Sequence, residues 1–92
     1  MSILITMRVK VNDFEGTKKA IAKYGPIMKR YGCLEYKIYQ RENNPKEVLW
    51  LLEFENHESF EKSGAEFEDD FIEMVQPIGF WDDAIWNLSI KG

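Results

Sequence analysis

The chain is poor in the residues that usually announce a chemistry. It has one cysteine, Cys33, and one histidine, His57. It has no CxxC pair, no glycine-rich phosphate loop and no serine nucleophile elbow. A lone cysteine excludes an intrachain disulfide and fits a reducing, cytoplasmic setting. No run approaches the ~20 apolar residues of a membrane span, and the opening apolar stretch is too short, and lacks the basic leader, for a signal peptide. Lys and Arg number 12 against 16 Asp and Glu, a net charge of −4, and they are dispersed along the chain. That argues against nucleic acid and against an anionic membrane surface as partners, since both need a basic cluster. The neighbouring carboxylates of Asp69-Asp70 and Asp82-Asp83 point in different directions on a regular element and have no second histidine to join them, so no metal is expected. Repeats, low-complexity tracts and linkers are also missing, so residues 1–92 read as one domain.

Aromatic residues are plentiful: three Trp, four Tyr and six Phe. They fall on a pattern of alternating periods. Ile3 to Val11 has strand period, with Ile3, Ile5, Met7, Val9 and Val11 on one face and Leu4, Thr6, Arg8 and Lys10 on the other. Asn12 and Glu15 form a capping-box-like start to a helix whose face is Phe14, Thr17, Ile21, Tyr24, Met28 and Tyr31. Gly25-Pro26 predicts a kink or break there, because proline removes an amide and clashes with the preceding turn. Gly32 suits the helix end. Cys33 to Arg41 reads as a second strand with Leu34, Tyr36 and Ile38 on one face. Residues 42–46 read as a turn, and Glu47 to Glu55 as a third strand with Val48, Trp50, Leu52 and Phe54 together. Asn56 caps a second helix with a stripe of Phe60, Gly64, Phe67, Phe71 and Met74, which Pro77 stops. Ile78-Gly79-Phe80-Trp81 forms an apolar loop. Asp83 to Lys91 is the last strand, with Ala84, Trp86, Leu88 and Ile90 on one face.

This order gives an α+β, ferredoxin-like βαββαβ domain: a four-stranded antiparallel sheet, order 4-1-3-2, with two helices on one face. The other face carries Leu4, Leu49 and Leu51, with Ile85 at the edge and a polar rim. Such a face suits a homodimer formed sheet on sheet, because neighbouring leucines on open β-structure would be sticky. Arg8 is expected to pair with Glu53 there.

Tyr31-Gly32-Cys33-Leu34-Glu35-Tyr36-Lys37-Ile38-Tyr39, and the run from Leu51 through Asn56 to Phe60, resemble the second-strand entry and third-strand exit of the antibiotic-biosynthesis-monooxygenase-like family of dimeric α+β barrels. The resemblance implies a dimeric barrel and, in one branch, an oxygenase that uses no metal or flavin and acts on phenols, quinols or anthrones bound between sheet and helices. The haem-degrading branch relies on a first-strand Asn and a second-helix Trp and His. The first strand here has no Asn, the second helix has no Trp, and His57 stands at that helix's first turn.

On that basis Tyr36 and Trp50 are the candidate catalytic residues, with Phe67, Phe71, Trp81 and Trp86 as substrate-binding walls and no cofactor. A stripe of such rings is more often plain core. His57 reads as exposed beside its cap, Cys33 as an unreactive thiol, and the acidic run Glu58 to Glu73 as a solvated face. The leading expectation is a cofactor-independent monooxygenase for a small aromatic compound. The alternative is a non-catalytic ligand-binding or regulatory dimer of the same fold, with a partner docked on the acidic helix as a third reading.

Overall fold

The alternation that marks Ile3–Lys10 as a strand also sorts its side chains. In the computed structural model, which describes residues 2–79 and 82–92, Ile3, Ile5 and Val9 are buried while Leu4, Thr6 and Arg8 face the other way. This strand, β1, is central. It is followed by α1 (Phe14–Arg30), β2 (Cys33–Arg41), β3 (Asn44–Phe54), α2 (His57–Ala65), α3 (Asp70–Val75) and β4 (Asp82–Asn87). The antiparallel sheet runs β2-β3-β1-β4, so the expected ferredoxin-like order holds. No helix among the described residues is long and apolar enough to cross a membrane.

The helix-facing layer is assembled by register. Ile5 lies opposite Leu52, Met7 opposite Trp50 and Val9 opposite Val48. Ala20, Tyr24 and Met28 of α1 and Phe71 and Val75 of α3 pack onto them. Helix α1 is capped by Asp13, whose carboxylate accepts from the amides of Glu15 and Gly16, and not by Asn12 as the sequence suggested. Asn12 instead donates its amide to Gln76 Oε1 at 3.1 Å, tying the start of α1 to the end of α3. The expected break at Gly25-Pro26 does not occur, and α1 runs through Pro26 to Arg30. Gly32, at φ 109°, turns the chain into β2.

Three further expectations are corrected. The strand pairing shifts between Cys33 and Glu35, a bulge that turns Cys33 inward and leaves Leu34 about half exposed. The hairpin is tighter than a five-residue turn, since β3 already begins at Asn44, paired with Arg41. The second helix is two helices. The chain leaves α2 after Ala65 and re-enters at Asp70, and Gly64, placed in the buried stripe by its spacing, is exposed. Its place in the core is taken by Ser63.

Candidate functional site

Four rings, from α1, β3, α3 and the α2–α3 connection, meet between helices and sheet. Tyr24 of α1 stacks on Phe67 of the α2–α3 connection with centroids 4.4 Å apart. Phe71 of α3 meets Tyr24 edge-on at 5.5 Å and Trp50 of β3 at 5.6 Å, and lies 4.8 Å from Phe67. Such offset and edge-to-face pairs favour each other beyond simple burial. Of the expected site residues, Trp50, Phe67 and Phe71 are therefore brought together, and they fill the space they line: Trp50 is 1% exposed and Phe71 7%. The Trp50 indole N–H has no acceptor; it and Thr17 Oγ1 are the described side-chain atoms that are buried without a partner. A buried donor left unpaired is costly, and native folds hold few of them.

Tyr36 lies on the same sheet face, opposite Leu52 on β3, but beneath a different part of α1. A Cβ on Gly25 would stand 2.8 Å from its hydroxyl oxygen. The Lys29 ammonium lies 5.4 Å from its ring centroid. None of the described ring pairs includes it.

Trp86 is on the opposite face from the one expected. It lies across from Leu4, while Ile85 lies across from Ile5. The strand is apolar on both faces, so its period does not choose between them. The Trp86 indole donates to Thr6 Oγ1 at 2.8 Å, and its ring is 55% exposed on the open face. Trp81 lies outside the described residues.

A polar group closes the outer edge of the ring cluster. Tyr24 is fully buried, yet its hydroxyl donates to Asp70 Oδ1 and accepts from the Glu68 amide at 3.2 Å. Lys23 Nζ pairs with Asp70 Oδ2. Burial, and then the bond to Asp70, pushes the Tyr24 hydroxyl above its ordinary pKa. Hydrogen bonds from Lys23 and then Tyr24 hold the Asp70 carboxyl below its own, and the Asp70 bond raises Lys23. At neutral pH Tyr24 is therefore a donor and Asp70 a charged acceptor. The acidic run is accordingly not all solvated face. Tyr24 was one tyrosine among four in the sequence, and nothing linked it to a carboxylate 46 positions away.

The open sheet face carries a second charged cluster. Glu47, 5% exposed, accepts from Arg8 Nε at 2.7 Å and from Arg41 at 2.9 Å. Those bonds, Arg41 first, hold its carboxyl below the usual range. Arg8 thus pairs with Glu47 and not with Glu53, which instead accepts from Ser2 at 2.9 Å. Two hollows lie on this face. One of about 510 Å³ is lined by Arg8, Tyr39, Arg41, Glu47 and Leu49. The other, of about 640 Å³, is lined by Leu4, Leu51, Glu53, Trp86, Leu88 and Ile90. His57 is exposed at the start of α2, and Cys33 is buried, its thiol pushed up by that burial.

No family model matches the sequence, and no curated protein matches it. Solved structures do resemble the fold. SnoaB, a cofactor-independent oxygenase from Streptomyces nogalater, superposes with a TM-score of 0.78 at 9% identity, covering 98% of this chain and 95% of its own. A Bordetella bronchiseptica protein provisionally named an antibiotic biosynthesis monooxygenase gives 0.74 at 11% identity, covering 97% of this chain and 98% of its own. A dimeric ferredoxin-like protein from an uncultured marine organism gives 0.64 at 19% identity, covering 97% of both chains. The chain has the ferredoxin-like fold of antibiotic-biosynthesis-monooxygenase-like domains.

Proposed function

We propose that the chain is a cofactor-independent monooxygenase for a small phenol-, quinol- or anthrone-like compound, working as a homodimer joined through the open sheet face. The observation that carries the reading is the unpartnered Trp50 indole N–H, set among the rings of Tyr24, Phe67 and Phe71. An aromatic substrate would stack where those rings now stack, and its oxygen would accept from Trp50. The likeness in fold to an oxygenase that needs no cofactor supports the reaction class.

In that class the substrate itself supplies the electrons. An ionised phenol or enol gives one electron to dioxygen, and the two radicals combine at carbon. The resulting hydroperoxide loses water, so that a CH₂ group and O₂ become a carbonyl and H₂O. The protein's part is to bind the ring, exclude water and place a donor beside the oxygen that carries the charge. Trp50 is the donor at hand. Tyr36, half-buried on the same sheet face, is assigned to hydrogen-bond the far end of a longer substrate. Trp81 is retained as a wall on sequence grounds. Trp86 belongs to the dimer contact, where Leu4, Leu49 and Leu51 make an apolar centre inside a rim of Arg8, Lys37 and Glu53.

Oxygen uptake by metal-stripped protein against a panel of hydroquinones, anthrones and catechols tests the reaction. Protein-dependent uptake with a carbonyl or quinone product, lost in Trp50→Phe, is expected. No uptake from folded protein overturns it in favour of the second reading, a ligand-binding dimer without turnover. That reading is favoured by how completely Trp50 and Phe71 are sealed. It predicts a rise in melting temperature with an aromatic ligand and no product.

A further inference from the structure

Two of the four clustered rings, Phe67 and Phe71, are carried by residues 66–71, the stretch that leaves α2 and begins α3. Polar contacts hold its outer edge to α1. Tyr24 donates to Asp70 and accepts from the Glu68 amide, Lys23 pairs with Asp70, and the Tyr31 hydroxyl donates to Glu66 Oε1 at 3.1 Å. Gly64, just before the stretch, has open space where a Cβ would stand, and Gln76, at φ 50°, turns the chain out of α3 beyond it. Beneath it lies Trp50, with a donor that nothing in the closed arrangement satisfies.

We infer that residues 66–71 are a lid over a site floored by Trp50, that Tyr24 and Lys23 latch it shut through Asp70, and that it admits a flat aromatic bearing an oxygen acceptor. The inference rests on the proposed aromatic-binding role of the helix-facing layer and specifies its access and selectivity. Lifting the lid removes two phenyl rings together, which vacates the space of a fused bicyclic ring system. It leaves the faces of Tyr24 and Trp50 to stack on the newcomer. A ligand that is only apolar would leave the indole N–H unpaired, as it is in the closed state. A ligand with a phenolic or carbonyl oxygen gains a bond that the closed state lacks. Sites built around a buried donor discriminate strongly against analogues without the acceptor. The Lys23–Asp70 arm of the latch is partly exposed, so water can replace that bond as the lid opens.

The test follows the Trp50 indole N–H in full-length ¹⁵N-labelled protein by NMR, assigned with Trp50→Phe. The probes are 1-naphthol, 1,4-naphthoquinone and naphthalene. The first two are expected to shift the Trp50 indole signal downfield, with naphthalene binding at least about tenfold more weakly. Tyr24→Phe keeps the stacked ring and removes the latch hydroxyl; Asp70→Asn weakens both arms of the latch at an exposed edge. Each should speed hydrogen exchange of the Trp50 indole by about tenfold or more, relative to the Trp86 indole in the same sample. Equal affinity for naphthalene, an unmoved Trp50 signal, or exchange unchanged in both variants would overturn the inference. The outcomes separate from those of the reaction. Binding at Trp50 without oxygen uptake removes the oxygenase and keeps the lid, whereas uptake without a Trp50 shift keeps the reaction and removes the lid together with Trp50 as the donor.

Discussion

Gly25 of α1 and Tyr36 of β2 are in contact through the absence of a side chain: a Cβ at position 25 would lie 2.8 Å from the Tyr36 hydroxyl oxygen and 3.1 Å from Cζ. The contact explains why α1, which already carries Pro26 near its C-terminal end, also has a glycine beside it. Alanine would ordinarily strengthen a helix interior, by about 1 kcal/mol over glycine. Here the added methyl must push the Tyr36 ring aside, so Gly25→Ala is expected to destabilise by about 1–2 kcal/mol. In a Tyr36→Phe background the nearest atom is gone, and the cost should shrink by more than half. Chemical denaturation of the four proteins of this cycle measures the coupling. Equal costs in both backgrounds would show that the helix, and not the ring, sets the penalty.

The aromatic quartet gives a second expectation. Phe71 touches both Tyr24 and Trp50 and is 7% exposed. Phe71→Ala should cost about 3–5 kcal/mol, the range for a large core ring, while Phe71→Leu should cost less than half of that. If the vacated space is a ligand site, the Ala variant should regain part of its melting temperature in 1-naphthol, and the wild type should gain less. Recovery that is the same in both would mean the hollow left by Phe71 is not where the ligand goes.

Strand faces were legible in the sequence because a period of two leaves no freedom once one face is apolar, and Ile3, Ile5, Val48, Trp50 and Leu52 all fall where their alternation put them. The rule fails where one residue is inserted or where both faces are apolar. The bulge after Cys33 reverses Leu34, and Trp86 and Ile85 exchange faces because only pairing with β1 decides between them. The break between α2 and α3 left no proline or cap pattern to read, since Asp69 makes no side-chain capping bond. The polar half of the candidate site was hidden for a different reason. Glu47 meets one arginine from β1 and one from β2, and Tyr24 meets Asp70 across two helices, so both clusters exist only once the chain has folded.

Those clusters set the acid side of the stability profile. Glu47 and Asp70 both have folded-state pKa values below their ordinary ones, Glu47 chiefly through Arg41 and Asp70 chiefly through Lys23. A depressed carboxyl contributes stability that is fully present above its unfolded pKa and is lost as pH falls through the folded one. Stability should therefore decline from about pH 4 downward, the unfolded chain binding the extra protons first. Glu47→Gln should flatten that decline by up to about one proton's worth of slope, and should itself lower the melting temperature at pH 7 because Arg8 and Arg41 lose their shared partner. Urea titrations from pH 2.5 to 7 read the slope directly, and an unchanged slope in the variant would assign the acid sensitivity elsewhere.

The open sheet face makes the last expectation. Leu51 lies on this face between Thr6 and Lys37, half-buried within the protomer and beside the hollow that Trp86 and Leu88 also line. A two-fold contact through this face would present each Leu51 to an equivalent surface, so one substitution alters the interface twice. Leu51→Lys should raise the dimer dissociation constant by about 100-fold or more, the effect of losing a central apolar contact and desolvating a charge. It should leave the protomer fold nearly intact, because the side chain already reaches solvent there. Sedimentation equilibrium with far-ultraviolet circular dichroism separates the two effects. A folded, monomeric Leu51→Lys beside a dimeric wild type supports assembly through the sheet. A variant as dimeric as the wild type would move the contact away from Leu51, and a monomeric wild type would leave Leu4, Leu49, Leu51 and Trp86 as a surface for a different occupant.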